Sequence, residues 1–295
     1  MVLWTAFFAT SGLALFWLFE PGWMYFALFG SLFQTLSIFF AGIQAKMEKG
    51  SETISYNTIK MYTVVYGSRM SGMCICSAYI PVVRMDVDSY ADYAYQFSEV
   101  SGFLMTVALL VYFACLQWRH VEDAFPTLAM VVFAIVLGIF FNMGRCTNWI
   151  GDIVWQTAVY LEMFAMWPQV RLLQWRLAMD KPLAGVFDGH FIVFSLLSRA
   201  MMMMFWFHSY KFLFHDGNQN AAHVNFTGKL ILVITIMQMV LLVDIVRFML
   251  RDARADWNPK ACLGGIGLRI SMFFQGRDFS NAIVSDESQN SAFII

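Results

Sequence analysis

Charged side chains are scarce in this sequence: Asp, Glu, Lys and Arg make up 13% of its 295 residues, where a soluble domain carries about 25%. The net charge is −1, so there is no basic field of the kind that draws nucleic acid. The five cysteines fit no zinc or iron–sulfur spacing, and Cys74 and Cys76, one residue apart in an apolar run, read as small membrane hydrophobes rather than a redox pair. There is no glycine-rich phosphate loop, no His-Glu-x-x-His, no nucleophile elbow and no set of residues at metal-ligand spacing. The expectation is a protein that is not an enzyme, with no metal and no cofactor.

Apolar side chains take the place of charge. Hydrophobic residues are 59% of the chain, including 30 Phe, 21 Met and 10 Trp, too many for a water-facing surface of this size. A bilayer core of about 30 Å is crossed by about 20 apolar residues in helix, because unpaired backbone groups are too costly in hydrocarbon. Such runs occur at 22–44, 61–83, 97–118, 126–142, 150–174, 189–214 and 230–250. The links between them are short, which predicts an all-α integral membrane protein, a seven-transmembrane-helix bundle filling 22–250. A further apolar segment, within 1–21, lacks the basic start and small-residue cleavage pattern of a signal peptide. It reads as an extra apolar helix, with a removed signal as the alternative.

Loop charge orients the bundle. Lys46, Lys49 and Lys60 precede span two, Arg171, Arg176 and Lys181 follow span five, and Arg251, Arg254 and Lys260 open the tail, all on one side. Asp86, Asp88 and Asp92 lie on the other. The positive-inside rule makes the basic side cytosolic. The link 215–229 is then lumenal and holds a glycosylation sequon, Asn225-Phe226-Thr227, whose closeness to span seven argues against its use. The tail, 251–295, carries an apolar patch at 266–274 suited to a membrane surface and ends Phe293-Ile294-Ile295 after a serine-bearing acidic stretch. It reads either as a disordered tail or as a trafficking signal for vesicle coat proteins.

Ionisable groups inside a membrane cost about 2.5–3.5 kcal/mol each and need partners or a polar cavity. Arg69 falls on span two, Asp152 and Glu162 on span five, Arg199 on span six and Asp244 on span seven. Asp152, Trp155 and Glu162 share one helix face. Two readings remain open: ion pairs that lock the bundle, or a polar cavity for a charged ligand. His190 and Gln238 suit either.

These residues resemble the KDEL receptor family, heptahelical receptors that return escaped soluble proteins to the endoplasmic reticulum and are similar in fold to PQ-loop (SWEET-like) sugar transporters. The resemblance runs from about residue 22 to 251. It rests on Ile54-Ser55 followed by Arg69, then Asp152, Trp155, Tyr160-Leu161-Glu162 and Pro168-Gln169, then His190, Arg199 and Trp206, and finally Gln238, Val240-Leu241 and Asp244. It implies that Arg69 would hold the C-terminal carboxylate of a retention peptide and that Asp152 and Trp155 would receive the peptide's basic or His end. Glu162 and Arg199 would form an inner network that locks on protonation, with Trp206 and Asp244 also in the ligand-binding set. An arginine fork suits a carboxylate on chemical grounds alone.

The chain departs from the family's pattern at several of these points. Ala27 and Ser209 stand where the family has two further arginines, Gln34 where it has its proton-sensing histidine, Gly72 where it has an aspartate, and Ser198 where it has a tyrosine. The resemblance therefore implies a sorting receptor of endoplasmic reticulum and Golgi membranes that binds C-terminal signals of lumenal proteins for retrieval. It would bind a Lys-Asp-Glu-Leu-type peptide more weakly, or take a different ligand, and depend only weakly on pH. The alternatives are a PQ-loop-type transporter of a small solute and a structural membrane subunit with a locked salt-bridge core.

Overall fold

The computed structural model describes residues 24–47, 54–76, 89–115, 126–142, 148–178, 188–213 and 221–252, and all regular structure in them is α-helical. The helices are α1 (Met24–Met47), α2 (Tyr56–Cys76), α3 (Ser89–Cys115), α4 (Thr127–Phe140), α5 (Trp149–Phe164), α6 (Trp167–Ala178), α7 (Asp188–Leu213) and α8 (Ala221–Asp252). The segment 1–21, the tail beyond Asp252 and the side chains of Ser209, Asn225 and Asp244 lie outside the described part.

Four helices contain a stretch long and apolar enough to cross a membrane: Tyr25–Met47, Tyr93–Cys115, Gly189–His208 and Phe226–Val243. Thr127–Phe140 is apolar but shorter. The chain is thus an all-α, multi-span membrane bundle. The helices that miss that standard include α2 and α5, which carry the polar interior: Asn57, Thr58 and Arg69 on one, Asp152, Gln156 and Glu162 on the other, all buried.

The packing is inside-out relative to a soluble protein. Phe97, Leu104 and Val111 recur every seventh residue along α3 and are all exposed, as are Val233, Met237 and Val240 on α8. Lipid is as apolar as these side chains, so the bundle loses little by presenting them to it. Inside, α1 packs on α7 and α3, α2 on α5 and α3, α7 on α8, and α4 on α5. Helices α2 and α3 are in close contact at Gly102, where a Cβ would lie 2.5 Å from the Tyr66 ring. Glycine at that point leaves room for the Tyr66 ring against the α3 backbone.

Several boundaries differ from the sequence expectation for one physical reason. Hydropathy marks the apolar part of a helix, whereas the hydrogen-bonded ladder continues until something stops it. Thus α2 starts at Tyr56, with Ser55 as its cap: Ser55 Oγ accepts from the Thr58 N–H at 3.3 Å. Lys60 belongs to this helix, its Nζ 4.2 Å above the Tyr56 ring, rather than to a link. Helix α8 begins at Ala221, so the sequon is helical, and Thr227 is buried with its hydroxyl donating to the Asn142 carbonyl at 3.5 Å.

The expected single helix over 150–174 is two. Pro168 has no N–H to donate to Phe164, so the ladder fails there. Ala165 N–H bonds back to the Glu162 carbonyl at 3.3 Å, and the ladder resumes with Val170 N–H on the Met166 carbonyl at 3.1 Å. Arg176, expected in a link, is buried on α6. A second correction concerns the cysteines. Cys74 is free, but Cys76 is disulfide-bonded and is not merely a small hydrophobe.

Candidate functional site

The N-terminal half of α5 places the first acid. Asn148 caps the helix, its side chain accepting from the Ile150 N–H at 3.1 Å, and Asp152 follows in the first turn, where the helix dipole favours a carboxylate. Asp152 is buried, and Trp155, one turn on, is buried too. The Trp155 and Trp206 rings meet edge to face, centroids 6.1 Å apart, joining α5 to α7. A Cβ on Gly72 would be 3.2 Å from the Trp155 Cβ, so the absence of a side chain there lets α2 press against α5.

Two turns deeper, Glu162 bridges the two arginines. Its Oε2 is 2.6 Å from Arg69 Nη2 and its Oε1 is 2.5 Å from Arg199 Nη2. Arg199 Nη2 also donates to Gln34 Oε1 at 2.9 Å, and Gln34 Nε2 donates to Ser37 Oγ at 3.0 Å. Helices α1, α2, α5 and α7 therefore converge on one buried layer. The resemblance implied an inner network of Glu162 and Arg199, and the fold places Arg69 and Gln34 in contact with it.

It also brings in a residue that sequence reasoning missed. Glu99, on α3 and fully buried, places Oε1 3.1 Å from Arg69 Nη1. The signal was present: an acid near the start of an apolar run carries the same insertion cost that singled out the other ionisable groups. The Gly102 contact explains the meeting. Gly102 and Glu99 are one turn apart on α3, as are Tyr66 and Arg69 on α2, so the close approach at Gly102 sets the distance for the ion pair. Beside it, Ser31 Oγ donates to Ser98 Oγ at 2.9 Å and Thr35 Oγ1 to the Ser98 carbonyl at 3.2 Å, tying α1 to α3.

Among the described residues the layer contains two arginines and two glutamates, and the formal charges of these four cancel. Cancellation and charge-assisted bonds make such burial tolerable. Not every polar atom is used: Arg69 Nε and Arg199 Nε are buried without a hydrogen-bond partner among the described residues. Buried polar atoms of this kind are commonly met by water or by a ligand.

The remaining expected residues lie apart from the layer. His190 packs against Phe40, ring centroids 5.2 Å apart, nine residues before Arg199 on α7. His208 is exposed and stacks on Phe26 at 5.6 Å. Gln238 is buried on α8. At the other end of the molecule the Ser55 N–H donates to Gln169 Oε1 at 2.8 Å, so the Ile54-Ser55 and Pro168-Gln169 segments meet in space. Among the described residues no group of three or more His, Cys, Asp or Glu is placed to hold a metal ion.

Comparison with family models matches residues 50–209 to the ER lumen protein retaining receptor. The match takes in Arg69, Glu99, Asp152, Trp155, Glu162, Arg199 and Trp206, and leaves Gln34 and Asp244 outside. No curated protein matches the chain.

Proposed function

From the premise that this chain belongs to the ER lumen protein retaining receptor family, we propose that it is a retrieval receptor that binds C-terminal signals of lumenal proteins and returns them from the Golgi to the endoplasmic reticulum. The chain is a multi-span membrane protein of those two compartments. The observation that carries the finer reading is the buried layer of Arg69, Glu162 and Arg199, with Trp155, Trp206 and Asp152 nearer the N-terminal end of α5. Charges at membrane depth suit recognition of a charged ligand.

In this reading the domain of 22–250 crosses the bilayer seven times in the PQ-loop manner, with α5 and α6 sharing one crossing. The segment 1–21 adds an apolar helix before it, and 251–295 is a cytosolic tail that meets coat proteins. The ligand enters from the lumen. Asp152, Trp155 and Trp206 receive its amino-terminal side, Arg69, with Glu162 and Arg199 behind it, receives its carboxylate, and Asp244 belongs to the ligand-binding set by resemblance alone. Titrating the purified full-length protein with a panel of C-terminal peptides tests this directly. Saturable binding that needs the peptide's end supports the reading, and no binding by any peptide overturns it.

A transporter of a small solute is the second reading, favoured by the break between α5 and α6. A helix interrupted at Pro168 can flex where an unbroken one cannot. Solute flux in proteoliposomes separates the two, since a receptor gives none.

A further inference from the structure

The arginine best suited to a ligand carboxylate is already occupied at both ends. Arg69 gives Nη2 to Glu162 at 2.6 Å and Nη1 to Glu99 at 3.1 Å. Arg69 keeps N–H groups that neither acid takes, Nε among them, but a carboxylate that binds them as a fork comes to share one guanidinium with two buried acids. The two are not held equally. Glu162 has an arginine on each oxygen, at 2.5 and 2.6 Å. Glu99 has one ion pair, the longest of the three, and beside it a hydrogen bond with the buried Tyr95 side chain rather than a second arginine. Glu99 is the acid that would yield.

Charge counting points the same way. Two arginines and two glutamates cancel. A ligand carboxylate added to that layer makes it net negative, and pushing Glu99 aside strands its charge in a fully buried position on α3. An unpaired buried charge is strongly unfavourable. We infer that Glu99 is a specificity residue: an internal carboxylate that occupies the Nη1 end of Arg69 and lowers the affinity of this chain for ligands ending in a free carboxylate. The inference rests on the proposed reading that Arg69 faces the ligand's end.

The test uses the full-length protein in detergent and two probes, the peptide Lys-Asp-Glu-Leu as free acid and as C-terminal amide. Glu99→Gln keeps the shape and removes the charge, leaving the layer net positive until the ligand carboxylate enters. Its affinity for the free acid should rise at least about tenfold over the native chain, with little change for the amide. Glu99→Asp keeps the charge but draws it back by one methylene, and should raise free-acid affinity by a smaller factor, about threefold. It serves as the deciding variant if Glu99→Gln does not fold, as judged by thermal melting. Unchanged free-acid affinity in the folded variants, while the native chain binds, overturns the role of Glu99 and leaves the receptor reading intact. A rise that is equal for acid and amide also overturns it, since the carboxylate would not be what Glu99 opposes. No binding of either peptide by the native chain or the variants overturns the receptor reading and this inference together.

Discussion

Arg69 and Glu162, 93 residues apart in sequence, are joined at 2.6 Å in a layer where both side chains are almost fully buried. The same glutamate holds Arg199 with its other oxygen, so a single carboxylate offsets two guanidinium groups from two different helices. Removing it leaves both arginines without that partner.

The first expected outcome follows from that. Glu162→Gln should destabilise the bundle by about 3–5 kcal/mol, the cost of stranding buried charge. Thermal melting or denaturant unfolding in detergent measures it. The double variant Glu162→Gln/Arg199→Gln should lose less than the sum of the single changes, because the second removes a charge the first left stranded. Strict additivity would show that the two side chains do not act as a pair.

Arg69 carries the second. Arg69→Ala should abolish binding of a carboxylate-bearing peptide, and Arg69→Lys should restore part of it, since lysine keeps the charge but not the planar fork. Because Arg69 also holds Glu99 and Glu162, the alanine variant should melt earlier, and binding is compared only among folded proteins. Native affinity in a folded Arg69→Ala protein sinks the ligand role and leaves Arg69 as a lock alone.

The third concerns pH. Gln34 accepts from Arg199 Nη2 at 2.9 Å and cannot titrate. Histidine changes charge near pH 6.5, so a receptor that captures in mild acid and releases at neutrality is served by one in this layer. Ligand affinity of the native chain should therefore vary little between about pH 5.5 and 7.5. Gln34→His should introduce acid-favoured binding: protonation removes the acceptor that Arg199 has at this position and adds a positive charge to the layer the ligand carboxylate enters, and above the imidazole pKa both effects are lost. Affinities across that range for both proteins are the measurement. A tenfold acid preference in the native chain, about 1.4 kcal/mol, would refute this.

Orientation is the fourth. Basic links place the carboxyl end of α1 and the amino end of α2 in the cytosol. The disulfide at Cys76 lies at the opposite end of α2, and disulfides persist in oxidising compartments such as the lumen. Two independent features thus favour one topology. Protease added to sealed microsomes should clip the tail beyond Asp252, and complete protection of the tail would reverse the assignment.

Much of this protein is decided by its sequence, because lipid is an exacting solvent. A chain of this composition has to form helices whose backbone groups are satisfied internally, and its apolar faces turn outward. For the same reason Arg69, Asp152, Glu162 and Arg199 marked themselves as interior: a charge inside an apolar run has nowhere else to go. Pro168 likewise carried its own warning, although hydropathy averaged across it and gave one helix where there are two.

Pairing is what only the tertiary structure decided. Glu99 belongs to Arg69 across 30 residues, Glu162 to Arg69 across 93, and Gln34 to Arg199 across 165. Period and hydropathy describe one helix at a time, and these bonds depend on how closely two helices approach and at what level. That is set by contacts such as Gly102 against the Tyr66 ring and Gly72 against Trp155, where a missing side chain permits the approach. A glycine in a sequence does not announce which neighbour it admits. Close packing of the helices answers that, and with it which of the buried acids Arg69 must share.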